Sequence, residues 1–320
     1  MPYPFKNLIF EGGGVKGVAF GGALEVLNKR GILGQIERVG GASAGAITAT
    51  MLALGYDADY IRDKMLNLNF KQFEDGNWLG DIERLYEEYG WYKGDAFLEF
   101  IKHEIKNQTG SPHTTFAELH EGLLNKKGFR DLYVVGTDLT TRRYLVFSYE
   151  KCGDVKIADA VRISMSFPFF FASRTFKDNI YVDGGVLNNY PLTLFDAPEY
   201  NADLAPGDPN PETLGLHLSK QVVEPYPINN LKQFVGNLFE TILEVQDDAL
   251  WNDEANLSRT VCINNLGIQT TDFDITHAQR EALVRKGHEA TANYLRAYDA
   301  HEKPTVCDQM RRNRRRDDCG

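Results

Sequence analysis

No uncharged apolar stretch in the sequence approaches the roughly 18 residues that a membrane-spanning helix needs. Its opening, MPYPFKNLIFEGGG, lacks the basic segment followed by an apolar one that marks a secretory signal. These absences lead us to expect a cytoplasmic protein. Cysteine is scarce: Cys152, Cys262, Cys307 and Cys319 are scattered without CxxC spacing, which supports neither a zinc site nor a disulfide framework, so reduced thiols are expected. Positive charge is short as well. With 45 acidic against 35 basic side chains the formal net charge is −10, and nucleic acid, whose binding is driven by phosphate neutralisation, is not the expected partner. The local exception is the run RRNRRR at 311–316. The Walker pattern GxxxxGK[ST] is also missing, because Lys16 precedes Gly17 rather than following it.

What is present is a pair of strand–turn–helix units. The apolar NLIF leads into EGGGVKG and then into VAFGGALEVLNKRG, a helical pattern closed by Gly31. RVGGAS followed by AGAITATMLALG repeats the arrangement, with Gly55 as the C-terminal stop. Two such units within 55 residues point to an α/β fold with a largely parallel sheet. Residues 57–128 read as mostly helical and aromatic, with a loop at EDGNWLGD. DLYVVGTDL, RRYLVFSYE and NIYVDGG read as strands, and VKIADAVRISMSF as a helix that stops before Pro168. A Pro/Asp-rich loop at 201–213 precedes a strand at LGLHLSK, a helix near 228–251, a strand at RTVCINN and a last helix opened by the capping-box pair Thr276 and Gln279. One domain over 5–300 is expected, with 301–320 a charged, disordered tail.

The first glycine turn has two readings. Gly12, Gly14 and Gly17 satisfy GxGxxG between a strand and a helix, the context of dinucleotide binding, and Glu37 lies 20 residues beyond Gly17. That acid stands at the start of a strand, however, where a ribose-binding acid belongs at a strand end. Alternatively, backbone N–H groups of a side-chain-free turn converge on one anionic oxygen at a helix N-terminus, making an oxyanion hole. The second unit favours this use: GASAG at 41–45 is GxSxG, in which a strained turn lifts Ser43 clear of the sheet as a nucleophile. Of the later histidines, His277, His288 and His301 fall on or beside the last helix, and His217 reads as a structural histidine within a strand. The stronger candidate for the base is Asp183, at a strand end and followed by two glycines that let the chain turn away. A carboxylate near its ordinary pKa is a weak base, so this role requires partial desolvation.

A glycine-rich turn, GxSxG on the second strand and a late DGG, with the blocks YKGDAFLEF, TFAEL, VVGTDLTT, AVRISMSFPFFF and YVDGGVLNNYPL, together resemble the patatin-like phospholipase family over most of residues 6–298. The resemblance implies a three-layer α/β/α fold with a mostly parallel central sheet. It implies a lipid acyl hydrolase of the phospholipase A or lysophospholipase type, with Ser43 as nucleophile, Asp183 as general base and Gly12, Gly13 and Gly14 as the oxyanion turn. No metal or organic cofactor is implied. Glu11 stands where plant members carry Asp. Lys16 matches a basic position of the family, either holding an anion such as a lipid phosphate or pairing with a carboxylate. An acyltransferase with the same dyad, or a nucleotide-binding protein, are the alternative functions. The partners expected are a phospholipid or lysophospholipid and a peripheral membrane surface. Phe167, Phe169, Phe170 and Phe171 read as core, or as the wall of an acyl channel. Trp78 and Trp91 read as part of a cap over the sheet, or an interfacial lid, and the arginine tail as a solvated segment or a contact for anionic lipid.

Overall fold

A computed structural model describes residues 3–75, 85, 87–125, 128–220, 227–251 and 253–302. Trp78, most of its loop, Cys307, Cys319 and the arginine run at 311–316 lie outside these residues. The first apolar run forms β1 (Asn7–Phe10), buried throughout as a strand covered on both faces must be. Its side chains alternate: Leu8 and Phe10 enter the main core, while Ile9 joins Tyr133, Val146 and Phe195 in a smaller cluster. A tight 3-10 turn over Gly14–Val18 leads into α1 (Ala19–Lys29), and β2 (Arg38–Ala42) leads into α2 (Ala44–Ala53). Every residue of α2 is buried, in keeping with a helix built from small and apolar side chains on all sides.

The stretch expected to be mostly helical contains α3 (Ala58–Asn67), then a strand, β3 (Gly90–Tyr92), followed by α4 (Asp95–Thr109) and α5 (Phe116–Leu124). Next come β4 (Asp131–Asp138), β5 (Arg143–Phe147), the single turn α6 (Tyr149–Cys152) and α7 (Ile157–Ser164). The phenylalanines after Pro168 form β6 (Phe169–Phe171), which pairs in parallel with β3 as a separate two-stranded sheet. β7 (Arg174–Phe176), β8 (Asn179–Asp183) and the turn α8 (Gly185–Asn188) follow. The chain ends its described course through β9 (Thr213–Ser219), α9 (Leu231–Trp251), α10 (Glu254–Ser258), β10 (Thr260–Asn264) and α11 (His277–Asp299). The expected capping box is there: Thr276 accepts the Gln279 N–H, and the Gln279 side chain accepts the Thr276 N–H.

The central sheet runs β10-β9-β1-β2-β4-β8-β7, with β5 also on β4. Its five strands from β10 to β4 are parallel, and β5, β7 and β8 join antiparallel. With helices packed against it, this is the expected three-layer α/β/α architecture around a mostly parallel sheet. Cys152 is free and buried, whereas Cys262 is disulfide-bonded, which corrects the expectation that all thiols are reduced. No helix among the described residues is long and apolar enough to cross a membrane.

Candidate active site

Ser43 is the single residue between β2 and α2, and it is held at φ 51° and ψ −127°. A non-glycine residue in this region costs on the order of 1–3 kcal/mol, and the surroundings must enforce it. They do so by close approach. A Cβ on Gly45 would stand 2.4 Å from the Phe10 carbonyl oxygen, and one on Gly41 would stand 2.6 Å from the Gly45 carbonyl carbon, so only glycines fit on either side of the serine. The Ser43 N–H donates to the buried Ser164 Oγ at 2.9 Å, which fastens the turn to the end of α7.

β4 brings the second residue to the first. Ala42, the last residue of β2, lies opposite Val135, and Asp183, the last residue of β8, lies opposite the adjacent Gly136. Because β2 runs parallel to β4 and β8 antiparallel, their C-terminal ends converge along it. Asp183 is fully buried. Its Oδ1 accepts the Gly185 N–H at 2.7 Å, while Oδ2 has no hydrogen-bond partner among the described residues. Burial pushes the carboxyl up to about 7, a rise partly offset by the Gly185 N–H and by the nearby Ser43 hydroxyl. That hydroxyl is directed at Met165 Sδ, 3.7 Å away. The pair combines a serine in a strained turn with a buried carboxyl whose affinity for a proton is raised.

The glycine turn forms the third side. A Cβ on Gly12 would lie 3.1 Å from Ser43 Cβ, so the turn passes directly beside the serine. The Gly12 N–H is engaged by the Asn189 carbonyl oxygen at 3.0 Å. The N–H groups of Gly13 and Gly14 make no hydrogen bond among the described residues. Lys16 is buried, its Nζ 3.3 Å from Glu240 Oε1, so its partner here is a carboxylate. Glu240, though desolvated, is held down to about 2 by Lys16, Lys220 and the Thr270 N–H. His217 bridges two carboxylates, with Nε2 at 3.0 Å from Asp247 Oδ1 and 3.4 Å from Glu11 Oε1, consistent with a structural histidine. Glu11, His217 and Asp247 gather three ligand-type atoms within 4.8 Å, a set that could hold a metal ion and that is here joined by its own hydrogen-bonded contacts.

Residues 8–196 match the family described as patatin-like phospholipase. The chain belongs to the patatin-like phospholipase family. It is 29% identical over 316 residues to the uncharacterized protein YqhO of Bacillus subtilis, spanning 91% of this chain and 98% of that one. It is 27% identical over 199 residues to the probable lipid hydrolase 463L of Invertebrate iridescent virus 6, covering 60% of this chain and 64% of the relative. In fold it is similar to VipD from Legionella pneumophila, with a TM-score of 0.62 at 20% identity over 92% of this chain and 67% of that one.

Around the site the phenylalanine cluster divides. Phe167, Phe170 and Phe171 are buried, with Phe167 packed on Phe239 of α9 at 4.1 Å between ring centroids, whereas Phe169 is 46% exposed. Trp91 sets its edge against Phe170. α9 is apolar on two faces. Val235, Phe239 and Leu243 point inward, and Leu231, Phe234, Leu238 and Val245 form a stripe open to solvent at helical spacing. Ser164, Met165 and Asn189 lie in no sequence pattern that marks them as part of the site. The only signal for Asn189 is a polar pair placed directly after DGGVL, where the chain is otherwise apolar.

Proposed function

We propose that this protein is a lipid acyl hydrolase, a phospholipase A or lysophospholipase, that cleaves carboxylic esters through an acyl-enzyme on Ser43. The observation that carries this reading is the buried Asp183, whose Oδ2 is unpartnered among the described residues, beside a serine in a strained turn. In the reaction the Ser43 hydroxyl turns from Met165 to Asp183 Oδ2. Oδ2 takes the proton as Oγ attacks the ester carbonyl, and the oxyanion is received by the N–H groups of Gly13 and Gly14. The departing alcohol recovers that proton. Water, deprotonated by Asp183, then attacks the acyl-serine, and Asp183 returns that proton to Ser43 Oγ as the acyl–oxygen bond breaks and the fatty acid is released.

A lipid substrate reaches this site from an assembled surface, and the exposed stripe of α9 supports work at such a surface. The opposite face of the same helix packs beside the catalytic turn, where a Cβ on Gly185 would meet Leu243 at 3.4 Å. The direct test is fatty acid release from mixed phospholipid vesicles. Ser43→Ala and Asp183→Asn are each expected to lower kcat by at least about a thousandfold, as for serine hydrolases that lose one member of the catalytic unit. Release by Ser43→Ala at the wild-type rate would refute the reading.

A further inference from the structure

The peptide plane between Gly12 and Gly13 is the part of the site whose orientation matters most and which has no rigid element of its own. A trans peptide is planar, with its C=O and N–H pointing in opposite directions, so whatever fixes the Gly12 carbonyl also aims the Gly13 N–H. Here the Gly12 carbonyl oxygen accepts from Asn189 Nδ2 at 3.1 Å. The same amide also donates to Glu11 Oε1 at 2.9 Å. Two backbone bonds complete the attachment: the Gly12 N–H goes to the Asn189 carbonyl, and the Asn189 N–H goes to Gln246 Oε1 at 2.9 Å. Asn189 thus touches both peptide groups of Gly12 from a segment that starts at Asp183.

We propose that Asn189 is a positioning residue of the oxyanion hole, whose side chain aims the Gly13 N–H by holding the Gly12 carbonyl, and that Glu11 fixes which end of that amide faces the turn. Glu11 can do this because both of its oxygens are met by donors, Oε1 by Asn189 Nδ2 and Oε2 by the Leu218 N–H. With both oxygens already accepting, Glu11 presents acceptors to Asn189, so the NH₂ end of the amide faces it and, from the same position, reaches the Gly12 carbonyl. His217, which lies against Glu11 and Asp247, keeps this carboxylate in place. A Cβ on Gly12 would fall 2.3 Å from Asn189 Oδ1, and one on Gly185 would fall 2.8 Å from it. The carboxamide therefore fills the gap between the oxyanion turn and the turn that follows the base, and fixes the distance between them.

This inference rests on Ser43 acting as the nucleophile, and its test separates the two. Turnover of a soluble short-chain ester is measured for wild type, Asn189→Ala, the isosteric Asn189→Asp and Ser43→Ala, together with amide hydrogen exchange in a peptide covering residues 11–14. Misaiming one oxyanion donor is expected to lower kcat of the Asn189 variants by about 100- to 1,000-fold. KM should stay within about threefold, since ground-state binding is untouched. Exchange in residues 11–14 should accelerate at least about tenfold, a readout that does not depend on turnover. The proposal is overturned if either folded variant keeps kcat within threefold of wild type, if the loss falls on KM alone, or if exchange in 11–14 is unchanged. Faster exchange in 11–14 with full activity in Ser43→Ala would instead uphold the clamp and remove the nucleophile assignment.

Discussion

Asp183 occupies a place where its charge is costly and its basicity is useful. Raising its carboxyl from the ordinary 3.8 to about 7 corresponds to roughly 4 kcal/mol against the ionised form in the folded protein. Between those two values the folded state binds more protons than the unfolded one, so this group lowers stability as pH rises from about 4 through 7. Asp183→Asn is therefore expected to raise the melting temperature at pH 8 while leaving it nearly unchanged at pH 4.5. An equal effect at both pH values in thermal melts would show that the carboxyl is not desolvated. On the proposed mechanism, catalysis has the opposite dependence. The base works only when ionised, so kcat/KM on a soluble ester should climb through pH 7 and level off above it, and an acid limb centred near pH 4 would contradict the burial argument. Ser43 and Asp183 were legible in the sequence because each sits in a short pattern whose glycines announce a sharp turn. Ser164, Met165 and Asn189 were not, because their roles depend on contacts across 121 to 178 residues of chain.

The elements legible in the sequence are those with a sustained period or a distinct boundary. The two strand–turn–helix units and the capped α11 fall where their patterns indicate. β3 and β6 did not, since three-residue strands in aromatic surroundings carry no readable alternation, and the phenylalanines after Pro168 gain their extended form only by pairing with Gly90–Tyr92. The contact between α1 and α11 was similarly invisible. A Cβ on Gly22 would stand 1.9 Å from the Val284 carbonyl oxygen, and one on Gly287 would stand 1.9 Å from that of Ala19, so each helix offers a glycine to the backbone of the other. Gly22→Ala or Gly287→Ala should push the helices apart, at a cost of about 1–3 kcal/mol in urea denaturation. Activity of the folded fraction should be retained, because neither position touches the serine or its base. A loss of less than about 0.5 kcal/mol would mean that the two helices slide freely.

At the scale of the whole molecule, α9 carries an exposed apolar stripe on one face and, through Leu243 on its inward face, packs beside the turn that follows Asp183. Phe234→Glu and Leu238→Glu should weaken co-sedimentation with phospholipid vesicles, and lower release of fatty acid from them, while leaving kcat/KM on a soluble ester within about twofold, since charge is excluded from an apolar interior. Unaltered sedimentation would discard α9 as the contact. The sheet order has one further consequence, which concerns the order in which the chain is made. Ser43 and Asp183 are 140 residues apart, and β1, which begins the sheet, is flanked on one side by a strand from residues 213–219. A ribosome delivers the serine and its glycine turn early, the carboxylate much later, and the strand that pairs with the other edge of β1 later still. A chain that ends before residue 183 thus carries the serine without the carboxyl that faces it. On the proposed mechanism, acyl transfer is withheld from every fragment that stops short of Asp183.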